Sequence, residues 1–189
     1  MPDPIQFYFD FSSPYGYFAS LVVDEMAARH GRQVAWKPIM IGSAFKASGN
    51  LPLVAQPMKG EYSRHDWERM ARMMKAPYRF PDRFPVPSLP PSRAYWWLAG
   101  SDPALAKRFA AAIYHAYFAE NRDISEMATA RHVAASLDID PDQLEAAGCN
   151  RPSPAASTSR RAASPARRWR RHTECGLTLR ISIDGHISR

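Results

Sequence analysis

The chain has 189 residues, 46% of them hydrophobic, which is enough for a packed core. Its net charge of +7 would suit a nucleic-acid binder, but the charge is unevenly placed. Residues 1–150 carry 16 basic and 16 acidic side chains, whereas residues 151–189 carry nine arginines against Glu174 and Asp184. The body of the chain therefore gives no electrostatic reason to expect nucleic acid or a membrane surface as its partner.

The cysteines and histidines do not indicate a metal site or a disulfide framework. Cys149 and Cys175 have neither metal-ligand nor redox spacing, and His65, His115 and His132 have no ligand spacing either. The N-terminus shows no signal peptide, and no window approaches the roughly 20 apolar residues of a membrane helix. We therefore expect a cytoplasmic protein with no metal and no membrane partner.

The first forty residues predict a strand, a helix and a second strand. Ile5–Phe9 is short and aromatic, as strands often are, and Gln33–Ile41 has a similar character. Between them apolar residues recur at helical spacing from Tyr15 to Ala27. Ser13 is a good N-cap, and Pro14 suits the first helical position. This unit predicts two parallel strands with a right-handed crossover.

Residues 43–150 predict an all-helical block. A loop is expected from Gly42 to Pro52, and an irregular proline-rich stretch from Pro77 to Pro91. Caps and apolar spacing predict helices over Lys59–Lys75 and Ser92–Ala99, one capped by Asp102, one opened by a capping box of Asp123 and Glu126, and a short one from Asp140 to Gly148. The chain is therefore divided into residues 1–42, 43–150 and 151–189.

Ser13 has two interpretations. As an N-cap it would only accept a hydrogen bond from the helix, whereas as a site its hydroxyl would hold an anion at the helix N-terminus. Ser13-Pro14-Tyr15-Gly16 follows the first strand, where thioredoxin-fold oxidoreductases carry Cys-Pro-x-Cys. Without either cysteine this segment cannot perform disulfide exchange. What remains is an anion site suited to stabilising the thiolate of another molecule.

The stretch Phe7–Tyr17 resembles the opening of the 2-hydroxychromene-2-carboxylate isomerases, which are relatives of the kappa-class glutathione transferases. The resemblance continues through Phe45–Pro52, Lys59–Tyr62 and Phe80–Pro85, and covers about residues 4–150. It implies an α/β fold with a thioredoxin-like βαβ unit and an inserted all-helical domain. The predicted order of elements agrees with that organisation.

The resemblance also implies a glutathione-dependent reaction in which Ser13 hydrogen-bonds the glutathione sulfur and favours its thiolate. The thiolate would add to a small aromatic carboxylate, allow a former double bond to rotate, and leave again. A kappa-type glutathione transferase is the alternative activity, and relatives suggest a homodimer.

The same motifs supply further candidate residues. For glutathione they are Pro14, Asn50, Lys59 and Tyr62, and for the substrate they are Lys46, Arg83 and Phe84. For Lys46, Asn50 and Arg83 an ordinary solvated surface role is the alternative, and Tyr62 could belong to the core.

Residues 151–189 depart from the family pattern. The second half of a thioredoxin domain, with its cis-proline loop, is not recognisable there. Residues 151–171 consist largely of Arg, Ser, Ala and Pro, which is typical of disorder, and only Leu177–Ile183 alternates like a strand. Our hypothesis is that this tail is a frameshift product. The alternatives are a basic tail that binds nucleic acid on a scaffold, and an inactive, partly folded chain.

Overall fold

The computed structural model describes residues 3–150, and their side chains up to residue 147. This range contains β1 Ile5–Phe9, α1 Pro14–Ser20, α2 Val23–Arg29, β2 Val34–Pro38, α3 Ile41–Ser48, a 3-10 turn at Leu53–Ala55, α4 Lys59–Met74, α5 Leu89–Ala99, α6 Pro103–Phe118, α7 Met127–Ala135 and α8 Pro141–Asn150. The predicted α/β class is confirmed. The expectations for residues 151–189, including the strand at 177–183, the frameshift and the missing second half-domain, lie outside the described residues.

The two strands pair in parallel, as predicted. Their register sets Ile5 opposite Val34 and Phe9 opposite Pro38. The ring of Phe9 also meets the ring of Trp36 edge-on, with 5.5 Å between their centroids. Side-chain packing of this kind matters because a two-stranded sheet alone is only marginally stable in water.

The predicted first helix is divided in two. The amide nitrogens of Leu21 and Val22 bond to the carbonyls of Phe18 and Ala19, three residues back, which tightens the turn. Val22 then leaves the helical region with φ −127°. Spacing alone could not show this break, because α1 and α2 continue to present apolar residues towards the same core.

The prediction of a loop from Gly42 to Pro52 is wrong over most of its length. β2 stops at Pro38, and the helix α3 follows it from Ile41 to Ser48. Gly49 ends α3 in the left-handed conformation, with φ +70°, which glycine adopts without steric cost. No residue of α3 is buried. Its two large apolar residues, Ile41 and Phe45, are only partly buried, so α3 is not a core helix.

Two of the later helices begin at different residues from those predicted. α5 starts at Leu89 instead of Ser92, because prolines are tolerated in a first helical turn. α7 starts at Met127, and the prediction that a capping box of Asp123 and Glu126 opens this helix is wrong. The Asp123 carboxylate accepts hydrogen bonds from the backbone N–H and hydroxyl of Ser125, and so closes a turn before the helix.

Helix α6 forms the centre of the buried core. Apolar spacing at Leu105, Phe109, Ile113 and Tyr117 predicts the inward face of this helix. Phe109, Ile113 and Tyr117 are buried, and so is Tyr114, whereas Leu105 is half-buried. Tyr114 approaches Phe9 at the end of β1, with 5.8 Å between the ring centroids. The strands and the later helices therefore share one cluster of buried side chains. The predicted domain boundary between residues 1–42 and 43–150 stays a prediction.

Helix α1 is held against α6 by a close approach at Gly16. A β-carbon added to Gly16 would lie 2.5 Å from the hydroxyl oxygen of Tyr114. Tyr114 is fully buried, and its hydroxyl donates to the carbonyl oxygen of Asp10 at 3.1 Å. The ring is therefore held in place, and glycine is the residue that avoids the collision at position 16.

No helix in the described range is long and apolar enough to cross a membrane. Within residues 3–150 there is also no group of three or more His, Cys, Asp or Glu side chains arranged to hold a metal ion.

We expect Gly16→Ala to lower the free energy of unfolding by about 1–3 kcal/mol, because it overpacks a rigid contact. Adding Tyr114→Phe removes the colliding oxygen, so the double variant should be more stable than the sum of the single changes predicts. Urea unfolding of the two single variants and the double variant measures this coupling. Strictly additive losses would contradict the proposed contact.

We expect Asp102→Ala to destabilise the protein by about 1 kcal/mol, because it removes the N-cap of α6. One Asp102 oxygen accepts hydrogen bonds from the backbone nitrogens of Ala104 at 3.0 Å and Leu105 at 2.9 Å. Asp102→Ser is the matched control, since its hydroxyl can still accept. Thermal unfolding in which both variants lose equal stability would argue against a capping role.

Candidate active site

A cavity of about 500 Å³ opens beside the start of α1. Its walls are the turn from β1 into α1, the start of α3, residues 84–87 before α5, and residues 52–54 together with Trp67 of α4. Its apolar lining includes Pro14, Met40, Ile41, Phe45, Trp67 and Phe84. The cavity lies in the usual size range for a small-molecule site.

Ser13 is half-buried and lines this cavity. It caps α1 with extended backbone angles, φ −93° and ψ 117°, and its oxygen accepts the backbone N–H of Gly16 at 3.2 Å. In the described part of the chain no hydrogen bond uses the proton of the Ser13 hydroxyl. Ser13 can therefore be a helix cap and part of a binding site at the same time. Its oxygen accepts a hydrogen bond from the helix, while its O–H remains available to a ligand.

The buried carboxylate of Asp10, 4% exposed, lies beside Ser13 at the end of β1. One of its oxygens accepts from the backbone N–H of Ser12 at 2.9 Å, the Ser12 hydroxyl at 3.0 Å and the Ser88 hydroxyl at 2.7 Å. The other accepts from the backbone N–H of Ile41 at 2.7 Å. These donors come from three different segments that line or flank the cavity.

The backbone carbonyl of Asp10 contributes two more contacts. It accepts from the backbone N–H of Ser13 at 2.9 Å and from the Tyr114 hydroxyl at 3.1 Å. Burial raises the pKa of Tyr114 well above its ordinary value, and the charge of Asp10 adds to the effect. Tyr114 therefore stays protonated at neutral pH and acts as a donor.

Tyr15 and Trp67 form the side of the cavity next to α4. The Tyr15 hydroxyl donates to Asp66 at 2.9 Å. Burial, followed by the hydrogen bond to Asp66 and its charge, raises the pKa of Tyr15 to about 12, although the nearby Trp67 N–H opposes the shift. Tyr15 is thus neutral at pH 7 and unsuited to act as a base.

The structure brings three of the candidate residues together. Ser13, Pro14 and Phe84 all line the cavity, although Phe84 is far from the other two in the sequence. Phe84 belongs to an aromatic group with Trp67, at 5.6 Å between centroids, and Phe80, at 5.0 Å. The cavity thus has an aromatic wall near the Ser13 hydroxyl.

The remaining candidates lie outside the cavity lining. Arg83 pairs with Asp123, and its guanidinium is 3.9 Å from Glu126. Lys46 is an exposed residue of α3, next to Phe45, which does line the cavity.

Three candidates for glutathione binding are also exposed. Asn50 uses its side-chain oxygen locally, accepting from the Leu51 backbone N–H at 2.9 Å. Lys59 is exposed at the start of α4, and Tyr62 is 64% exposed, which argues against the core alternative for Tyr62.

Sequence reasoning missed Asp10 and Ser88 as parts of this site. An acidic residue directly after an aromatic strand was a signal for Asp10, because strand ends in parallel sheets often carry site residues. Ser88 lies 78 residues from its partner and had no local signal.

Comparison with known proteins agrees with this architecture. Residues 4–158 match the family model described as a DSBA-like thioredoxin domain. The chain is 31% identical over 146 residues to 2-hydroxychromene-2-carboxylate isomerase of Sphingobium xenophagum, which covers 76% of this chain and 73% of that protein. It is 32% identical over 81 residues to glutathione S-transferase kappa 1 of Caenorhabditis elegans, covering 42% of this chain and 36% of the relative.

Among solved structures, a 2-hydroxychromene-2-carboxylate isomerase superposes with a TM-score of 0.69 at 22% identity. The match covers 83% of this chain and 75% of the other, and it shows a shared fold. From the family model and the isomerase relative together, the chain belongs to the DSBA-like thioredoxin family and, within it, to the family of 2-hydroxychromene-2-carboxylate isomerase.

Proposed function

We propose that this protein is a glutathione-dependent isomerase of 2-hydroxychromene-2-carboxylate or a similar aromatic intermediate. The observation that carries the proposal is the Ser13 hydroxyl, which lines a largely apolar cavity and accepts the Gly16 N–H, while no hydrogen bond within residues 3–150 uses its proton. A hydroxyl that accepts one hydrogen bond is polarised to donate another more strongly. It is therefore well suited to stabilise a thiolate.

The chemistry uses a nucleophile supplied by glutathione. Hydrogen bonding to the sulfur favours the thiolate, which is the reactive form. Its lone pair forms a carbon–sulfur bond to the conjugated substrate, and the electrons of the double bond move to the substrate's carbonyl oxygen. After rotation about the resulting single bond, the same electrons return and expel the thiolate. Glutathione is regenerated, and no oxidant or reductant is needed.

The cavity walls suit the ring of an aromatic substrate. Phe45, Trp67 and Phe84 supply apolar and aromatic surface close to Ser13. For the substrate's carboxylate we favour Lys46 over Arg83. Arg83 is already engaged by Asp123, whereas Lys46 forms no ion pair within residues 3–150 and adjoins Phe45 at the cavity.

A kappa-type glutathione transferase is the alternative, favoured by the similarity to the kappa transferase of Caenorhabditis elegans. Both activities would use the same Ser13 thiolate site. They differ in the fate of the carbon–sulfur bond, which an isomerase breaks and a transferase keeps.

We expect Ser13→Ala to reduce turnover by about 10²-fold, because a single donor to a developing anion contributes this much in comparable sites. The variant should also lose the ultraviolet absorbance of the glutathione thiolate at neutral pH. Ser43→Ala is a matched control, since Ser43 is a second serine that lines the cavity. Calorimetry of glutathione binding accompanies both measurements.

If Ser13→Ala keeps both the thiolate absorbance and the rate, Ser13 is not the thiolate donor. If the native chain does not bind glutathione at all, the glutathione-dependent function itself is wrong.

We expect glutathione to be required but not consumed with 2-hydroxychromene-2-carboxylate as substrate. The product should be the isomer alone, because the thiolate leaves again. Mass spectrometry of the products and titration of free thiol test this. A stable glutathione conjugate would favour the transferase instead.

A further inference from the structure

We propose that Asp10 is the positioning residue of the Ser13 site. The inference rests on the function proposed above, because it concerns how Ser13 is held for that chemistry. Asp10 acts through two routes. Its carboxylate fixes the neighbouring Ser12, and its carbonyl accepts the backbone N–H of Ser13. The turn that carries the Ser13 hydroxyl is therefore held at both of its serines.

The same carboxylate fixes the opposite walls of the cavity. Its second oxygen takes the backbone N–H of Ile41, the first residue of α3. Ser88, which directly follows the wall formed by residues 84–87, donates to the first oxygen. One side chain thus sets the spacing between the Ser13 hydroxyl and the surfaces that would hold the substrate.

The contact set is specific for a carboxylate. All four groups around the Asp10 side chain are donors, and a carboxylate only accepts. In Asp10→Asn, one oxygen becomes an NH₂ group. A backbone N–H, which can only donate, faces each of the two oxygens, from Ser12 on one and from Ile41 on the other. The NH₂ group must therefore break either the contact to the turn that carries Ser13 or the contact to α3.

Spacing matters because the thiolate must reach the substrate in a productive geometry. A misplacement of about 1 Å can reduce a rate by about 10²-fold even when it arises away from the reacting atoms. A residue acting in this way should change kcat more than the affinity for glutathione. A purely structural residue would change stability and leave the chemistry of the folded fraction unaltered.

The test uses three variants of the full chain. Asp10→Asn removes the carboxylate, and Ser88→Ala removes one of its donors without changing the cavity lining. Ser92→Ala is the matched control, because Ser92 is a buried serine in the first turn of α5, close to Ser88 in the sequence, and its hydroxyl has no hydrogen-bond partner within residues 3–150. Thermal unfolding establishes the folded fraction of each variant.

We expect Asp10→Asn to lower kcat by about 10²-fold with little change in KM for glutathione, and to raise the pKa of the bound glutathione thiol. Ser88→Ala should also lower kcat and raise the thiol pKa, each by less than Asp10→Asn does. Ser92→Ala should change neither kcat nor the thiol pKa. If Asp10→Asn does not fold, Ser88→Ala decides. An unchanged kcat and thiol pKa in the folded Asp10 or Ser88 variant would overturn the proposal.

Amide NMR of the free protein separates this inference from the proposed function. In Asp10→Asn, or in Ser88→Ala if that variant alone folds, the signals of Ser12, Ser13 and Ile41 should shift, whereas Ser92→Ala should leave them in place. If the native chain fails to bind glutathione while these shifts occur, the glutathione function is wrong and the positioning contact stands. If the signals stay in place, Asp10 does not position Ser13.

Discussion

The carboxylate of Asp10 is buried without a basic partner among the described ion pairs, and four neutral donors surround it. Burial of a charge is unfavourable unless hydrogen bonds replace the lost water. The donors belong to the β1–α1 turn, the start of α3 and the residue before α5. Those segments must therefore meet at one point for the charge to be satisfied, and the cavity forms where they meet.

The aromatic core makes this meeting point rigid. Tyr114 of α6 is fully buried and donates to the carbonyl of Asp10, while its ring packs near Phe9 and Phe11. Two paired strands by themselves, as β1 and β2 are within residues 3–150, are only marginally stable in water. The polar network thus depends on packing from α6, about a hundred residues further along the chain.

The sequence predicted those elements whose patterns are local. The strand pair, the Asp102 cap and the inward face of α6 follow from short-range spacing and were found as expected. Helix α3 was missed because its apolar residues Ile41 and Phe45 line a cavity instead of a core. Arg83 matched a motif, but its ion pair with Asp123, 40 residues away, is set by tertiary structure. Long-range partners of this kind leave no periodic signal.

The contact at Gly16 gives a steric reason why a member of the DSBA-like family would use the thiol of a separate molecule instead of its own cysteine. A thioredoxin-type pair needs a cysteine where Gly16 stands, and the β-carbon of that cysteine would collide with the Tyr114 hydroxyl. That hydroxyl also holds the Asp10 carbonyl, which in turn accepts the Ser13 N–H. The contact that helps to fix Ser13 therefore also disfavours a cysteine at position 16. This segment has neither cysteine of the pair and so cannot perform disulfide exchange, and the contact at Gly16 adds a steric reason against restoring one of them. This is consistent with the proposed role of Ser13 as a donor to the thiolate of a separate molecule.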